Sequence, residues 1–203
     1  TVVIRDRHNN EKSMKLSHCF KAEATQADVF EKVGAPLVKS ALEGVNGACI
    51  VFGQTGSGKT HTMLSPDGLA ARIAGALVQP PRPETDDNDT TTETAQVDVK
   101  LSCIELYMNE LRDLFEPQTR APGGAARGSL RVYAARHGST ETGALRMPIT
   151  CQADAVAAIT LAARRRATAS TNGNSTSSRS HAILTLQVER RTARATSSAT
   201  VLL

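Results

Sequence analysis

The sequence predicts an α/β fold, a mostly parallel central sheet flanked by helices on both faces. Three observations carry this expectation. Ala48-Cys49-Ile50-Val51-Phe52 is an unbroken apolar run between glycine-containing segments, with the length and composition of a fully buried strand. A glycine-rich loop and then a helical pattern follow it directly. Elsewhere apolar residues switch between three-to-four spacing and strict alternation, so helices and strands are interspersed along the chain.

The elements follow in order. Thr25 and Asp28 read as a capping box, and Val29, Phe30, Val33, Leu37 and Ala41 recur at amphipathic spacing, which predicts a helix over 26–43. Pro36 lies inside it and predicts a kink; Gly44 is placed to end it. The buried strand is 48–52, with a helical pattern after Lys59 and a further helix over Leu69–Val78. Residues 79–95 are rich in Pro, Asp, Thr and Glu and read as an exposed loop. Val97, Val99, Leu101 and Cys103 alternate as a strand with one wetter face. A short helix is expected over 109–115, a Gly/Ala/Pro-rich loop over 117–128, and a hairpin from strands at 130–132 and 144–149. A helix over 154–165 carries Val156 and Ile159 on one face, while 168–180 suits neither helix nor strand. Leu184, Leu186 and Val188 alternate as a strand, and Thr200-Val201-Leu202-Leu203 reads as the opening of another buried one.

Composition narrows the class. A chain of 203 residues, 40% hydrophobic and 22% charged, describes one soluble globular domain or a large piece of one. Sustained apolar heptads and a glycine at every third position are both missing, which excludes coiled coil and collagen. The longest apolar runs are about a quarter of what a membrane-spanning helix needs, and the N-terminus has no secretory apolar block, so an intracellular protein without a membrane partner is expected. Four cysteines, at positions 19, 49, 103 and 151, lack the spacing of a zinc site or redox dithiol and read as reduced, mostly buried thiols. The net charge of +4 permits a polyanionic partner without requiring one. Its distribution is uneven: five acids and no base over 84–93, against seven arginines and the single acid Glu189 over 164–203.

Gly53-Gln54-Thr55-Gly56-Ser57-Gly58-Lys59-Thr60 matches Gly-x-x-x-x-Gly-Lys-Ser/Thr. Glycines let backbone N–H groups wrap a diphosphate, the lysine is a point charge for the β and γ phosphates, and the threonine hydroxyl is a ligand for Mg²⁺. The competing account is a chance glycine-rich turn, which the strand before and helix after disfavour. Such a cradle does not by itself separate a motor from a kinase, a GTPase or a helicase. Asn174-Ser175-Thr176-Ser177-Ser178-Arg179-Ser180-His181 offers the hydroxyls and the cation that sensing a γ-phosphate requires, although such stretches are also ordinary loops.

Together these two segments resemble the P-loop, with His61-Thr62-Met63 after it, and switch I of the kinesin motor domain. Supporting stretches follow in the family's order: Gln26-Ala27-Asp28-Val29-Phe30 before Pro36-Leu37-Val38, then Glu105-Leu106-Tyr107-Met108-Asn109-Glu110-Leu111-Arg112-Asp113-Leu114, which resembles the family's central strand and its exit, then 166–181. The resemblance runs from about Met14 to Leu203 and implies a P-loop NTPase-type fold, kinesin motor-like but incomplete, over 1–203. It implies that Gly53, Gln54, Thr55, Gly56, Ser57, Gly58, Lys59 and Thr60 enclose the phosphates of ATP, with Thr60 and Ser178 as Mg²⁺ ligands. His61 falls beside the adenine, a satisfied helix-start histidine being the other reading. Asn174, Ser177 and Ser178 would position the γ-phosphate, Mg²⁺ and attacking water, and Arg179 would pair with a switch II glutamate.

The implied partner is the microtubule, the implied location the cytoplasm and cytoskeleton. Arg131, Arg136 and Arg146 lie where the family carries a secondary track contact, with solvated hairpin charges as the alternative. Several family positions differ: Ser17 stands where an Asp is usual and Ser175 where a Glu is usual. The family's Arg-x-Arg-Pro adenine contact has no counterpart before Thr1, and its switch II would follow Leu203, so the chain corresponds to about the first 60% of a motor domain. Taken alone it is expected to bind Mg-ATP weakly, hydrolyse little and not move. Two other readings stay open: a non-motile kinesin-derived nucleotide-binding or interaction module, and an unrelated P-loop NTPase acting on nucleic acid, which 3% aromatic residues disfavour. Direction, cargo, subfamily and oligomeric state are not encoded in these residues.

Overall fold

The computed structural model describes residues 2–5, 7–79, 95–107, 109–116, 130–134, 140–170 and 180–203. Among them, strands β1 (Val2–Arg5) and β2 (Glu11–Met14) form an antiparallel pair at the N-terminus. The first helical rod is composite: α1 (Gln26–Val29), a π-helical turn (Phe30–Gly34) and α2 (Ala35–Leu42). Thr25 and Asp28 form the expected reciprocal cap. The wide turn comes just before Pro36, whose ring would clash with a regular helical backbone and whose missing N–H would interrupt its bonding. Gly44, at φ +84°, ends the rod as predicted.

Next come β3 (Gly47–Ala48), α3 (Lys59–Leu64) and α4 (Leu69–Val78). They are followed by β4 (Gln96–Tyr107), β5 (Glu110–Asp113), β6 (Tyr133–Ala134), β7 (Thr140–Glu141) and β8 (Met147–Ile149). The last elements are α5 (Gln152–Ser170), β9 (Ser180–Arg191) and β10 (Thr196–Leu202).

The main sheet has the order β3-β10-β9-β4-β5, with β8 also on β4. It is mixed rather than mostly parallel: β3 and β10 run parallel, while β10–β9, β9–β4, β4–β5 and β4–β8 are antiparallel. Two of the antiparallel pairs, β9–β10 and β4–β5, join strands consecutive in the chain through short connections, as at 192–195, where Thr192 and Ala195 hydrogen-bond across the β9–β10 connection.

Register builds the core. Ile149, Val99, Val188 and Ala199 form one rung across four strands, and Met147, Leu101, Leu186 and Val201 the next. Leu203 and Leu184 exchange backbone hydrogen bonds at 2.9 Å, extending the pattern beside Cys103. The helices α2, α4 and α5, which pack on the sheet, cover this face, while the opposite face carries Lys100, Gln187 and Ser198. α4 is buried almost all round, through Leu69, Ile73, Ala74 and Leu77. α5 buries Ala155, Ala158, Ile159 and Ala162 against α4 and the sheet, an apolar stripe at i, i+3, i+4 and i+7 whose three alanines allow close approach, while Val156 is half-buried.

Other expectations change. The segment 48–52 is not a fully buried strand: β3 is two residues long and paired on one side, and Ile50 and Phe52 are 87% and 97% exposed. The short helix over 109–115 is a strand, because Leu111 and Glu110 pair with Leu106 and Tyr107 around a tight turn, and four residues are too few to hold a helix against that ladder. The predicted hairpin between 130–132 and 144–149 does not form: β6 pairs with β7, and β8 joins β4. Of the cysteines only Cys103 is buried; Cys49 and Cys151 are half-buried and Cys19 is exposed, all as free thiols. Most of the loops expected at 79–95 and over 117–128 lie outside the described residues.

Candidate functional site

β3 delivers the chain into the glycine-rich loop. It is pinned to β10 by the backbone bond from Cys49 N–H to the Leu202 carbonyl, 2.8 Å, and by Asn46 Oδ1, which accepts the Thr200 N–H at 2.8 Å. A Cβ at Gly53 would lie 2.5 Å from Ser57 Oγ, so the Ser57 hydroxyl would have to turn away to admit a side chain there. Gly56 and Gly58 stand at φ +82° and +88°, the left-handed region, with open space where a Cβ would project. The turn is completed by Ser57 N–H to Gln54 O at 3.2 Å, and α3 begins with Thr62 N–H to Gly58 O at 2.9 Å.

Within this loop Lys59 Nζ donates to the carbonyls of Gly53 and Gln54, at 2.7 and 2.6 Å. The ammonium is thereby folded across the loop and half-buried, while Gln54, Thr55, Ser57 and Thr60 are open to solvent. Buried Met63 and Leu64 anchor α3 beneath them. A fixed cation, left-handed glycines and an exposed hydroxyl in one loop form a donor set that fits a phosphate chain and an accompanying divalent cation.

His61, on the next turn, is held by Gln26, whose Nε2 lies 3.0 Å from His61 Nδ1. This bond joins the start of α1 to α3, and it was not foreseen: Gln26 follows a capping threonine and gives no sequence signal of its own. Asn174, Ser177, Ser178 and Arg179 lie outside the described residues. Ser180 and His181 are described, as the first residues of β9.

The model of the kinesin motor domain family matches residues 2–202. The chain belongs to the kinesin motor domain family. The Arabidopsis thaliana kinesin-like protein KIN-1 is 28% identical over 191 residues, covering 89% of this chain and 38% of its own length. The Oryza sativa subsp. japonica kinesin-like protein KIN-4A is 32% identical over 196 residues, covering 88% of this chain and 19% of its own. The solved structure of a fast kinesin superposes with a TM-score of 0.77 at 26% identity, over 95% of this chain and 53% of that one. The chain thus spans well under two thirds of the relatives it matches. The kinesin likeness shows the P-loop NTPase-type α/β fold, a mixed sheet flanked by helices.

Two further polar residues on this kinesin scaffold escaped the sequence reading. Glu105 of β4 is 1% exposed, and Arg166 of α5 lies beside it. Glu105 continues the alternation of Val97, Val99, Leu101 and Cys103, so an acid on an apolar face was the available signal, since such a carboxylate requires a partner. Among the described residues no helix is long and apolar enough to cross a membrane.

Proposed function

We propose that the chain binds Mg-ATP in the loop 53–60 and, as part of a kinesin motor domain, contributes to coupling ATP hydrolysis to movement along microtubules, at the cytoskeleton. The observation that carries this reading is Lys59, bonded inside its own glycine loop beside the exposed Thr60 hydroxyl. In it, Gly53 to Gly58 supply backbone N–H groups, Lys59 neutralises phosphate charge, Thr60 ligates Mg²⁺, and His61, steadied by Gln26, lies along the nucleobase. The Mg²⁺ ion, when bound, neutralises charge on the phosphates as they separate. Asn174, Ser177 and Ser178 take the γ-phosphate and attacking water, Ser178 also reaches the metal, and Arg179 serves the coupling ion pair. Catalysis then rests on positioning and charge stabilisation.

Exposed Arg131 and Arg146, with the net charge of +4, support an acidic track as partner; Arg136 lies outside the described residues. The test is ATP turnover with and without microtubules, beside the Lys59→Ala variant. Residues 1–203 alone are expected to turn over slowly and without stimulation, and the longer protein to be stimulated at least about tenfold. Stimulation of the longer protein by nucleic acid and not by microtubules would replace the motor reading with an unrelated nucleotide-driven activity.

A further inference from the structure

The first turns of α1 and α3 meet through two side chains. Gln26, the first residue of α1, brings its amide Nε2 to 3.0 Å from Nδ1 of His61, 35 residues further along the chain. The backbone on both sides of this contact is fixed. The reciprocal cap of Thr25 and Asp28, with bonds of 2.7 and 3.2 Å, sets the start of α1, and Val29 and Phe30 pack against the core behind it. Buried Met63 and Leu64 seat α3, whose first turn is closed by the bond from Thr62 N–H to Gly58 O.

An amide nitrogen only donates, so His61 Nδ1 is the acceptor and the ring carries its proton on Nε2. For stability alone the arrangement is poor. Among the described residues Gln26 Oε1 is buried without a hydrogen-bond partner, which is costly, while the imidazole that Gln26 holds is exposed and gains little from burial. What the contact secures is orientation, because an exposed histidine otherwise turns freely about its side-chain bonds. His61 directly follows Thr60, at the rim of the glycine loop. A flat ring held still beside a phosphate cradle suits the flat part of a nucleotide, its base, through stacking.

We infer that Gln26 is a positioning residue for nucleobase binding. Through its bond to Nδ1 it fixes the plane and the tautomer of His61, and so adds affinity for the base to a loop that by itself holds only phosphates. This role rests on the proposed nucleotide site. Gln26 acts through His61 and not by its own contact with the nucleotide.

The test is calorimetric titration of the full chain with Mg-ATP and with Mg-tripolyphosphate, which has the phosphates and no base. The wild-type chain should bind ATP at least about tenfold more tightly than tripolyphosphate. Gln26→Ala should weaken ATP by about fivefold and leave tripolyphosphate within about twofold, the retained binding of tripolyphosphate showing that the loop is folded. In a His61→Phe background, whose ring accepts no such hydrogen bond, Gln26→Ala should have no further effect on ATP. The ¹⁵N spectrum of His61 gives a signature independent of affinity: the proton lies on Nε2 in the wild type, whereas in Gln26→Glu, which offers only acceptors, Nδ1 carries a proton. Equal weakening of both ligands in Gln26→Ala, unchanged ATP affinity, additive losses in the double variant, or a His61 spectrum unaltered by Gln26→Glu overturns this role alone. A wild-type chain that binds the two ligands equally overturns the base contact and this role while the phosphate loop stands; one that binds neither overturns the nucleotide site as well.

Discussion

The carboxylate of Asp154 accepts the backbone N–H of Thr150 at 2.9 Å and, through the same oxygen, the N–H of Cys151 at 3.2 Å and the hydroxyl of Thr150. These bonds favour the charged form and hold Asp154 below the ordinary 3.8, the Thr150 hydroxyl being the main cause. A group depressed in the folded state stabilises it above its unfolded value and loses that contribution as pH falls through the folded one. Asp154→Asn should therefore be less stable than wild type at neutral pH, with the gap narrowing below 3.8. Urea denaturation at neutral and strongly acid pH checks this; a gap constant across pH would assign the effect to packing.

Gly58 opens α3 at φ +88°, a conformation that a side chain disfavours even where space is free. Gly58→Ala should cost about 1 kcal/mol in denaturant unfolding. It should also weaken nucleotide binding, since the loop amides turn with that residue. An unchanged unfolding midpoint would show that the loop can relax.

The capped start at Thr25, the helix Leu69–Val78 and the alternation in β4 and β9 were legible because each is written in local spacing. The glycine loop was legible for the same reason: its chemistry sits in eight consecutive residues. What failed depended on neighbours far along the chain. Strand β5 forms because Leu111 meets Leu106, and Ile50 and Phe52 are exposed because β3 finds a partner on one side, which an apolar run does not reveal. The Gln26–His61 contact joins residues brought together only by tertiary packing, and no local pattern announces it; for Glu105–Arg166 the alternation marks the buried acid but not which base meets it.

Leu186 is wholly buried between Leu101 and Val201 at the centre of the sheet. Leu186→Ala should cost about 3 kcal/mol, and Leu186→Met less than about 1.5 kcal/mol, because the methionine fills most of the same volume. The check is a lower urea midpoint at unchanged slope. Equal losses would show that side-chain shape, not the space left empty, controls the site.

Burial pushes the Cys103 thiol up to about 12, against a smaller lowering by Arg166. Cys19 is exposed. At pH near neutrality a disulfide reagent should modify Cys19 rapidly, whereas Cys103 should react only on unfolding. Peptide mapping of the labelled chain distinguishes the two, and early labelling of Cys103 would mean that β4 opens locally.

The central claim is that loop 53–60 holds nucleotide phosphates through Lys59. Its most direct test is equilibrium titration of the 203-residue chain with a fluorescent adenine nucleotide and Mg²⁺, beside Lys59→Ala. The account predicts saturable binding that Mg²⁺ strengthens and that Lys59→Ala weakens by about 100-fold, the loss of charge-assisted bonds to two phosphates. Binding of equal strength in the two proteins, or none to a folded wild-type chain, would contradict it.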